Sequence, residues 1–264
     1  MLRRNLLNTI LLADISTKKA SILRILIYGL LFLVYVNRTI ALYAELPLYF
    51  WRPSGLIQWL PFLAPPLTYF SWIEIIWKIS LFTSMIGFFA PLSKLLATLG
   101  ALFVAQYDQH FSVVLFNNIP SFFLTFFMLF LRDNDFWSVD SLFKREKKLR
   151  TSSLPIICFQ IFLSGLYFFS AIQKLRSSGT DWIRGLSFID FIQKDYLVWF
   201  QDSSILGICA TFTVLLELLS PLIFFRRVKL PFTLTLIGFH LLIGVTLNIW
   251  EPVWMISLLT FFFV

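Results

Sequence analysis

Tyr167, Ser170 and Lys174 recur at i, i+3 and i+7 in the apolar run LPIICFQIFLSGLYFFSAIQKL, so on a helix they share one face. Two chemistries are open to a lysine at the end of such a run. Its ammonium can snorkel to the headgroups, or it can stay partly desolvated and act as a base. His240 lies mid-run in TLIGFHLLIGVTLNIW with Gly244 one turn later. It suits either a hydrogen bond across a tight helix contact or contact with a quinone-like oxygen and a proton. His110 follows Asp108 and Gln109 at what reads as the start of another run. Glu74 and Lys78 stand four apart with Glu first, the favourable order for a neutralising same-face pair. Glu217, in LLELLSPLIFF, needs hydrogen bonds from a neighbouring helix or from cytoplasmic basic residues. No spacing of His, Cys, Asp or Glu suggests a metal site, and neither a Gly-rich phosphate loop nor a Ser–His–Asp set stands out.

The elements that must position these side chains follow from composition. Of 264 residues, 58% are apolar and 14% are charged, and the mean hydropathy is +0.81. Soluble domains carry about 25% charged residues, so a water-soluble enzyme is excluded. The expected fold is all-α, a polytopic transmembrane bundle of seven or eight spans plus interfacial helices. Runs at 22–37, 69–90, 92–107, 111–131, 154–174, 204–225, 231–249 and from 253 onward supply the spans. Residues 1–19 read as an interfacial amphipathic segment and 20–264 as the bundle of a single domain. Links at Tyr49–Leu67 and Arg176–Phe200, rich in Trp and Tyr, suit the headgroup layer. Cys158 and Cys209 read as ordinary buried residues of apolar runs.

The net charge of +8 sits at the ends of these runs. On this ordering, one side carries fifteen Lys and Arg, from Arg3 to Lys229, and the other six, with Lys78 inside a span. The richer side is expected to be cytoplasmic, which puts the N-terminus inside. The basic excess then orients a membrane protein, and nucleic acid is not an expected partner. His110, Lys174, Asp181–Arg184 and Glu251 all fall at extracytoplasmic helix ends on this topology.

Three motifs in order carry a resemblance: DFWSVDSLFKREKK (Asp135–Lys148), GLYFFSAIQKL (Gly165–Leu175) and DWIRGLSF (Asp181–Phe188). They resemble the membrane core of the vitamin K-dependent gamma-glutamyl carboxylase and the wider horizontally transferred transmembrane (HTTM) domain superfamily. SILRILIYG, WRPSGLIQWLPFL, YDQHFSVVL, ELLSPLIFFRR and GFHLLIGVTLNIWEPVWMIS extend the likeness over roughly residues 20–262. The resemblance implies that Lys174 deprotonates a reduced, vitamin K-like quinone, with His110 in the same site. It also implies that Tyr167, Asp181, Trp182 and His240 contact substrate or cofactor.

Departures stand beside these matches. Gln173 precedes Lys174 where the carboxylases have a second lysine, Gln109 replaces an Asn, and Arg176–Gly179 lengthens the turn before Asp181. The carboxylases' large lumenal domain has no counterpart in this sequence, so a soluble partner protein is expected to supply substrate recognition. Short bacterial members of the superfamily, such as the membrane protein that matures a sporulation-delaying toxin, work in this way. The expected function is modification or maturation of an exported peptide at the outer face of a bacterial inner membrane. The alternative is a non-catalytic quinone- or lipid-binding bundle of the same fold.

Overall fold

The computed structural model describes residues 14–39, 70–111, 118–133, 135–144, 148–177, 179–184, 203–247 and 250–263, with backbone only for 107–111, Thr180, Trp182, Ser203 and Leu247. Most of these residues are helical. Contacts divide the chain into two compact units, Met1–Phe159 with Phe263–Val264, and Gln160–Phe262.

The first unit holds strand β1 (Asp14–Ser16) and the helices α1 (Thr17–Val36), α2 (Phe70–Ile86), α3 (Ala90–Phe111), α4 (Ile119–Leu129) and α5 (Val139–Leu142). Strand β2 (Arg150–Ser152) and the start of α6 (Leu154–Ser177) complete it. The second unit holds the rest of α6, α7 (Thr180–Ile183), α8 (Ser203–Leu218), α9 (Arg226–Leu247) and α10 (Pro252–Leu258). Short 3-10 turns at Ser220–Phe224 and Leu259–Phe262 follow α8 and α10.

A helix lies in each of the eight apolar intervals, yet only three are long and apolar enough to cross a membrane: Thr17–Val36, Leu154–Ser177 and Arg226–Thr246. The expected count of seven or eight spans therefore does not follow from the described helices. At ~1.5 Å per residue, the 11 residues of α4 reach about half of a ~30 Å hydrocarbon core. Helix α8 breaks at Leu218 into a 3-10 turn that Pro221 enters early, so the run expected over 204–225 is two pieces. Helix α1 begins more than a turn before the apolar run, because Ser16 caps it by accepting from the Lys19 amide at 3.3 Å. Just before it, β1 pairs antiparallel with β2. The remainder of the expected interfacial segment and the link Tyr49–Leu67 lie outside the described residues.

The core is apolar, but so is much of the surface, and several charged groups are buried. Trp72, Ile79, Leu99, Ile161, Phe169, Ile208 and Leu242 are exposed, whereas Arg24, Glu74, Lys94, Asp133, Glu217 and His240 are buried. Outward apolar side chains are the state of lowest free energy where the surroundings are hydrocarbon. Cys158 is half-buried and Cys209 exposed, which corrects the expectation for both: Cys209 sits on the α8 surface that also presents Ile205, Ile208 and Phe212.

Packing in the first unit rests on close helix approaches. Trp77 of α2 donates through Nε1 to the Ala97 carbonyl of α3 at 3.1 Å. Its ring fills the space over Gly100, where a Cβ would lie 2.1 Å from ring carbon Cδ1. The Glu74–Lys78 pair forms as the spacing predicts, at 2.6 Å. Lys78 also donates to the Val36 and Arg38 carbonyls at 3.2 and 2.7 Å, so it closes the C-terminal end of α1, where the helix dipole favours a cation.

The segment carrying DFWSVDS acts as a clamp. Asp133, just before it, is fully buried, with Lys94 Nζ at 2.6 Å and Arg24 Nη1 at 4.0 Å from Oδ1. Arg24 donates to the carbonyls of Met85, Asp133 and Trp137, and Lys94 to those of Met128 and Leu131. Asp140 accepts from the amides of Phe89 and Ala90 at 2.9 Å each and so caps α3, while its own amide donates to Gly87. Gly87 has φ +67°, and a Cβ there would lie 2.4 Å from the Ser138 Cβ, so only glycine fits.

Candidate functional site

The second unit gathers its ionisable groups along α6, α8, α9 and α10. Helix α6 presents Tyr167 and Lys174 two turns apart. A helical side chain leans toward its own N-terminus, so Lys174, near the C-terminal end of α6, points back into the span. Its Nζ donates to Glu217 Oε1 at 2.5 Å. The ammonium is claimed by a carboxylate on a neighbouring helix. Of the two partners expected for Glu217, the neighbouring helix is the one present.

Two turns closer to the start of α6 than Lys174, the Tyr167 hydroxyl lies 2.6 Å from His240 Nε2. Glu251, just before α10, places Oε2 2.9 Å from His240 Nδ1. That approach is close enough for an ion pair but is not aligned as a hydrogen bond. Both ring nitrogens are served when Tyr167 donates to Nε2 and the proton on Nδ1 faces Glu251. Trp254 stacks on the imidazole at 5.9 Å between centroids and 20° between planes, and its ring is 5.1 Å from that of Tyr167. Gly244 leaves room for Trp250: a Cβ there would lie 2.8 Å from ring carbon Cε3.

Three of the six expected site residues, Lys174, Tyr167 and His240, thus lie in this cluster. Glu217, Glu251 and Trp254 join them. The spacing of the apolar runs gives Glu217 and Glu251 no partner by name, because their contacts cross 43 and 11 residues of chain. Asp181 is exposed on α7, and the side chain of Trp182 lies outside the described residues. His110 belongs to the first unit, and its side chain too lies outside the described residues. Its backbone is at the C-terminal end of α3 rather than at a helix start, since the helix runs on through the polar YDQH. Among the described residues no cluster of His, Cys, Asp or Glu could hold a metal ion.

Tyr167, Glu217 and His240 are buried, and the side chains of Lys174 and Glu251 are each 20% exposed. Glu217 Oε2 is buried with no hydrogen-bond partner among the described residues. The cluster therefore contains an ammonium donor, an unsatisfied carboxylate oxygen and a Tyr–His–Glu array. Such groups can take up or deliver a proton at a hydroxyl oxygen. The chain matches no family model, no curated protein and no solved structure.

Proposed function

We propose that this protein is an integral membrane protein of the HTTM and gamma-carboxylase-like type, with an extracytoplasmic proton-transfer site at Lys174 and Glu217. In this reading it takes part in the modification or maturation of an exported peptide at a bacterial inner membrane, with a soluble partner protein. The observation that carries the reading is the buried cluster itself: the lysine singled out by the motif GLYFFSAIQKL bonds to Glu217 beside a Tyr167–His240–Glu251 array. A lipid-embedded ion pair without a task is costly, and a task at a hydroxyl oxygen suits these groups. The N-terminus is cytoplasmic in this proposal, and the shorter helices cross or enter the bilayer together with the three long ones.

The residues fit a reduced quinone. The unsatisfied Glu217 Oε2 is placed to accept from a hydroxyl, and Lys174 to donate to a neighbouring oxygen. Such a cofactor supplies, when oxygenated, a base strong enough to remove a carbon-bound proton. The chain's own contribution is to hold the lysine and carboxylate together, to exclude water with Trp254 and Phe239, and to carry the released proton by way of Tyr167 and His240 toward Glu251.

Mass spectrometry of exported peptides from cells with and without the gene tests the proposal. A gain of one CO2, or a new processing product, that is lost in Lys174→Met and in Glu217→Gln supports it. A second reading, a non-catalytic quinone- or lipid-binding bundle, is favoured by the direct neutralisation of Lys174 by Glu217. It predicts unchanged peptides and an output that survives Lys174→Arg, because arginine keeps the ion pair but is no base near neutral pH.

A further inference from the structure

Two exposed apolar stripes in the second unit end at one basic turn. On α8, Ile208, Phe212, Leu215 and Leu219 recur at helical spacing and are all exposed. On α9, Leu230, Leu234, Leu241 and Val245 do the same. The chain passes from one stripe to the other through SPLIFFRR (Ser220–Arg227), the 3-10 turn and the first residues of α9. Phe224, Phe225, Arg226 and Arg227 are all exposed there.

These arginines differ from the buried cations of the chain. Arg24, Lys94 and Lys174 each face a carboxylate, whereas among the described residues neither Arg226 nor Arg227 has an ion pair or a side-chain hydrogen bond. The acidic side chains described in their unit stand elsewhere. Glu217 is bonded to Lys174, and the first turn of α9 contains no acid. Glu251 faces His240, about 20 Å along α9 from Arg227 at ~1.5 Å per residue. Asp181 is on α7, which meets α8 near its start, where a Cβ on Gly207 would lie 3.3 Å from the Ile183 carbonyl oxygen. Lys229 lies over the Phe261 ring at 5.9 Å and does not join the exposed pair.

We infer that this turn docks on the anionic phospholipids of the bilayer, with the Arg226 and Arg227 guanidinium groups on headgroup phosphates and Phe224 and Phe225 among the upper acyl chains. A guanidinium can grip a phosphate through two parallel hydrogen bonds. A soluble anion would use the arginines alone, whereas the two apolar stripes that end here hold the turn where hydrocarbon gives way to headgroups. On the proposed topology this end of α9 is cytoplasmic, the side on which anionic lipids concentrate. The inference rests on the membrane reading of α9 and not on the proton-transfer site.

Native mass spectrometry of the full chain in a neutral detergent tests this by titration with dioleoylphosphatidylglycerol and, separately, dioleoylphosphatidylcholine. Each cation near an anionic surface is worth about fivefold. Phosphatidylglycerol should therefore bind up to roughly 25-fold more tightly, and Arg226→Gln/Arg227→Gln should bring the two lipids within about threefold of each other. Arg226→Lys/Arg227→Lys keeps both charges and should retain most of the preference, which separates lost charge from lost fold. Phe225→Ser, at a site 62% exposed, should weaken both lipids and leave their ratio intact. Lys19→Gln/Arg150→Gln removes two exposed cations of the first unit and should leave the ratio within about twofold of the parent. Equal binding of the two lipids by the parent, or an equal loss in the Lys19/Arg150 variant, overturns the inference. Competition by inorganic phosphate at a matching affinity would overturn the lipid assignment in favour of a soluble phosphate. A chain that stays in solution without detergent and binds neither lipid would instead sink the membrane reading on which the inference rests.

Discussion

Asp133→Asn removes one negative charge from a fully buried site that also holds Arg24 and Lys94. Burial pushes the Asp133 carboxyl above its usual range, and Lys94 and Arg24 pull against that. At an effective dielectric of about 20, a Lys94 contact of 2.6 Å and an Arg24 contact of 4.0 Å correspond to roughly 6 and 4 kcal/mol of gross attraction. Asparagine is spared the cost of burying its own charge, so the net loss is smaller. Stranding a buried partner typically costs about 3–5 kcal/mol, and here two cations are stranded with carbonyls alone. For a domain of this size that is a fall in Tm of about 6–20 °C. Thermal melting of the detergent-solubilised full chain, followed by tryptophan fluorescence, reads it directly. The double variant Asp133→Asn/Lys94→Met should recover part of the loss, because it removes one of the stranded charges. A single variant that melts within about 3 °C of the parent would show that burial has already cancelled the attraction. A double variant less stable than the single one would refute the reasoning outright.

Gly100→Ala should lower stability by about 1–3 kcal/mol, the usual cost of overpacking, since its methyl collides with the Trp77 ring; a melt unchanged from the parent would show that α2 and α3 can separate. Tyr167→Phe keeps the ring against Trp254 but deletes the hydroxyl at His240, for a loss of about 1 kcal/mol, whereas Tyr167→Leu should cost more. Lys78→Met leaves Glu74 buried without its ammonium and frees the two carbonyls at the end of α1, so it should destabilise by about 2–4 kcal/mol; Lys78→Met/Glu74→Met should be milder. Burial acts to raise the Asp135 carboxyl, but hydrogen bonds from Arg132 and Lys144 outweigh it and hold the group below the usual carboxylate range. Its contribution is therefore complete above the unfolded value of about 3.9 and is lost as pH falls through the lower folded one. Melting temperature should drop on acidification below about pH 4, and less steeply in Asp135→Asn.

The apolar runs were legible because lipid-facing and core positions are both hydrophobic, so a run of either kind stands out by composition alone. Its length in the fold was not. Pro221 and the end of α4 at Leu129 stop helices inside runs that hydropathy treats as continuous. Glu74–Lys78 was readable because its geometry is local to one helix. Lys94 and Arg24 were read as members of the basic excess that orients the chain, and both prove to be buried ligands of Asp133. Charge counting places a residue at an end of the bundle but says nothing about which way it turns there. The helix face of Tyr167 and Lys174 could be drawn from spacing, whereas the partners His240 and Glu217 lie 73 and 43 residues away and depend on tertiary packing. DFWSVDS, one of three motifs on which the family likeness rests, has a structural explanation in this chain: Ser138 and Asp140 cap helix starts, and Asp135 ties Arg132 to Lys144.

The bonds of Arg24 also set an order of events during synthesis. This guanidinium lies in the first long apolar helix, yet its acceptors belong to Met85, Asp133 and Trp137. More than a hundred residues must leave the ribosome after Arg24 before the last acceptor is made. Until then, a helix that enters the bilayer carries an unsatisfied cation, and the early intermediate is poorly suited to lipid. Nascent chains cut short before Trp137 should accordingly remain with the insertion machinery or be degraded, and those that extend past it should be released into the membrane. The arginine thus ties the burial of its own helix to completion of the segment that carries its last acceptor.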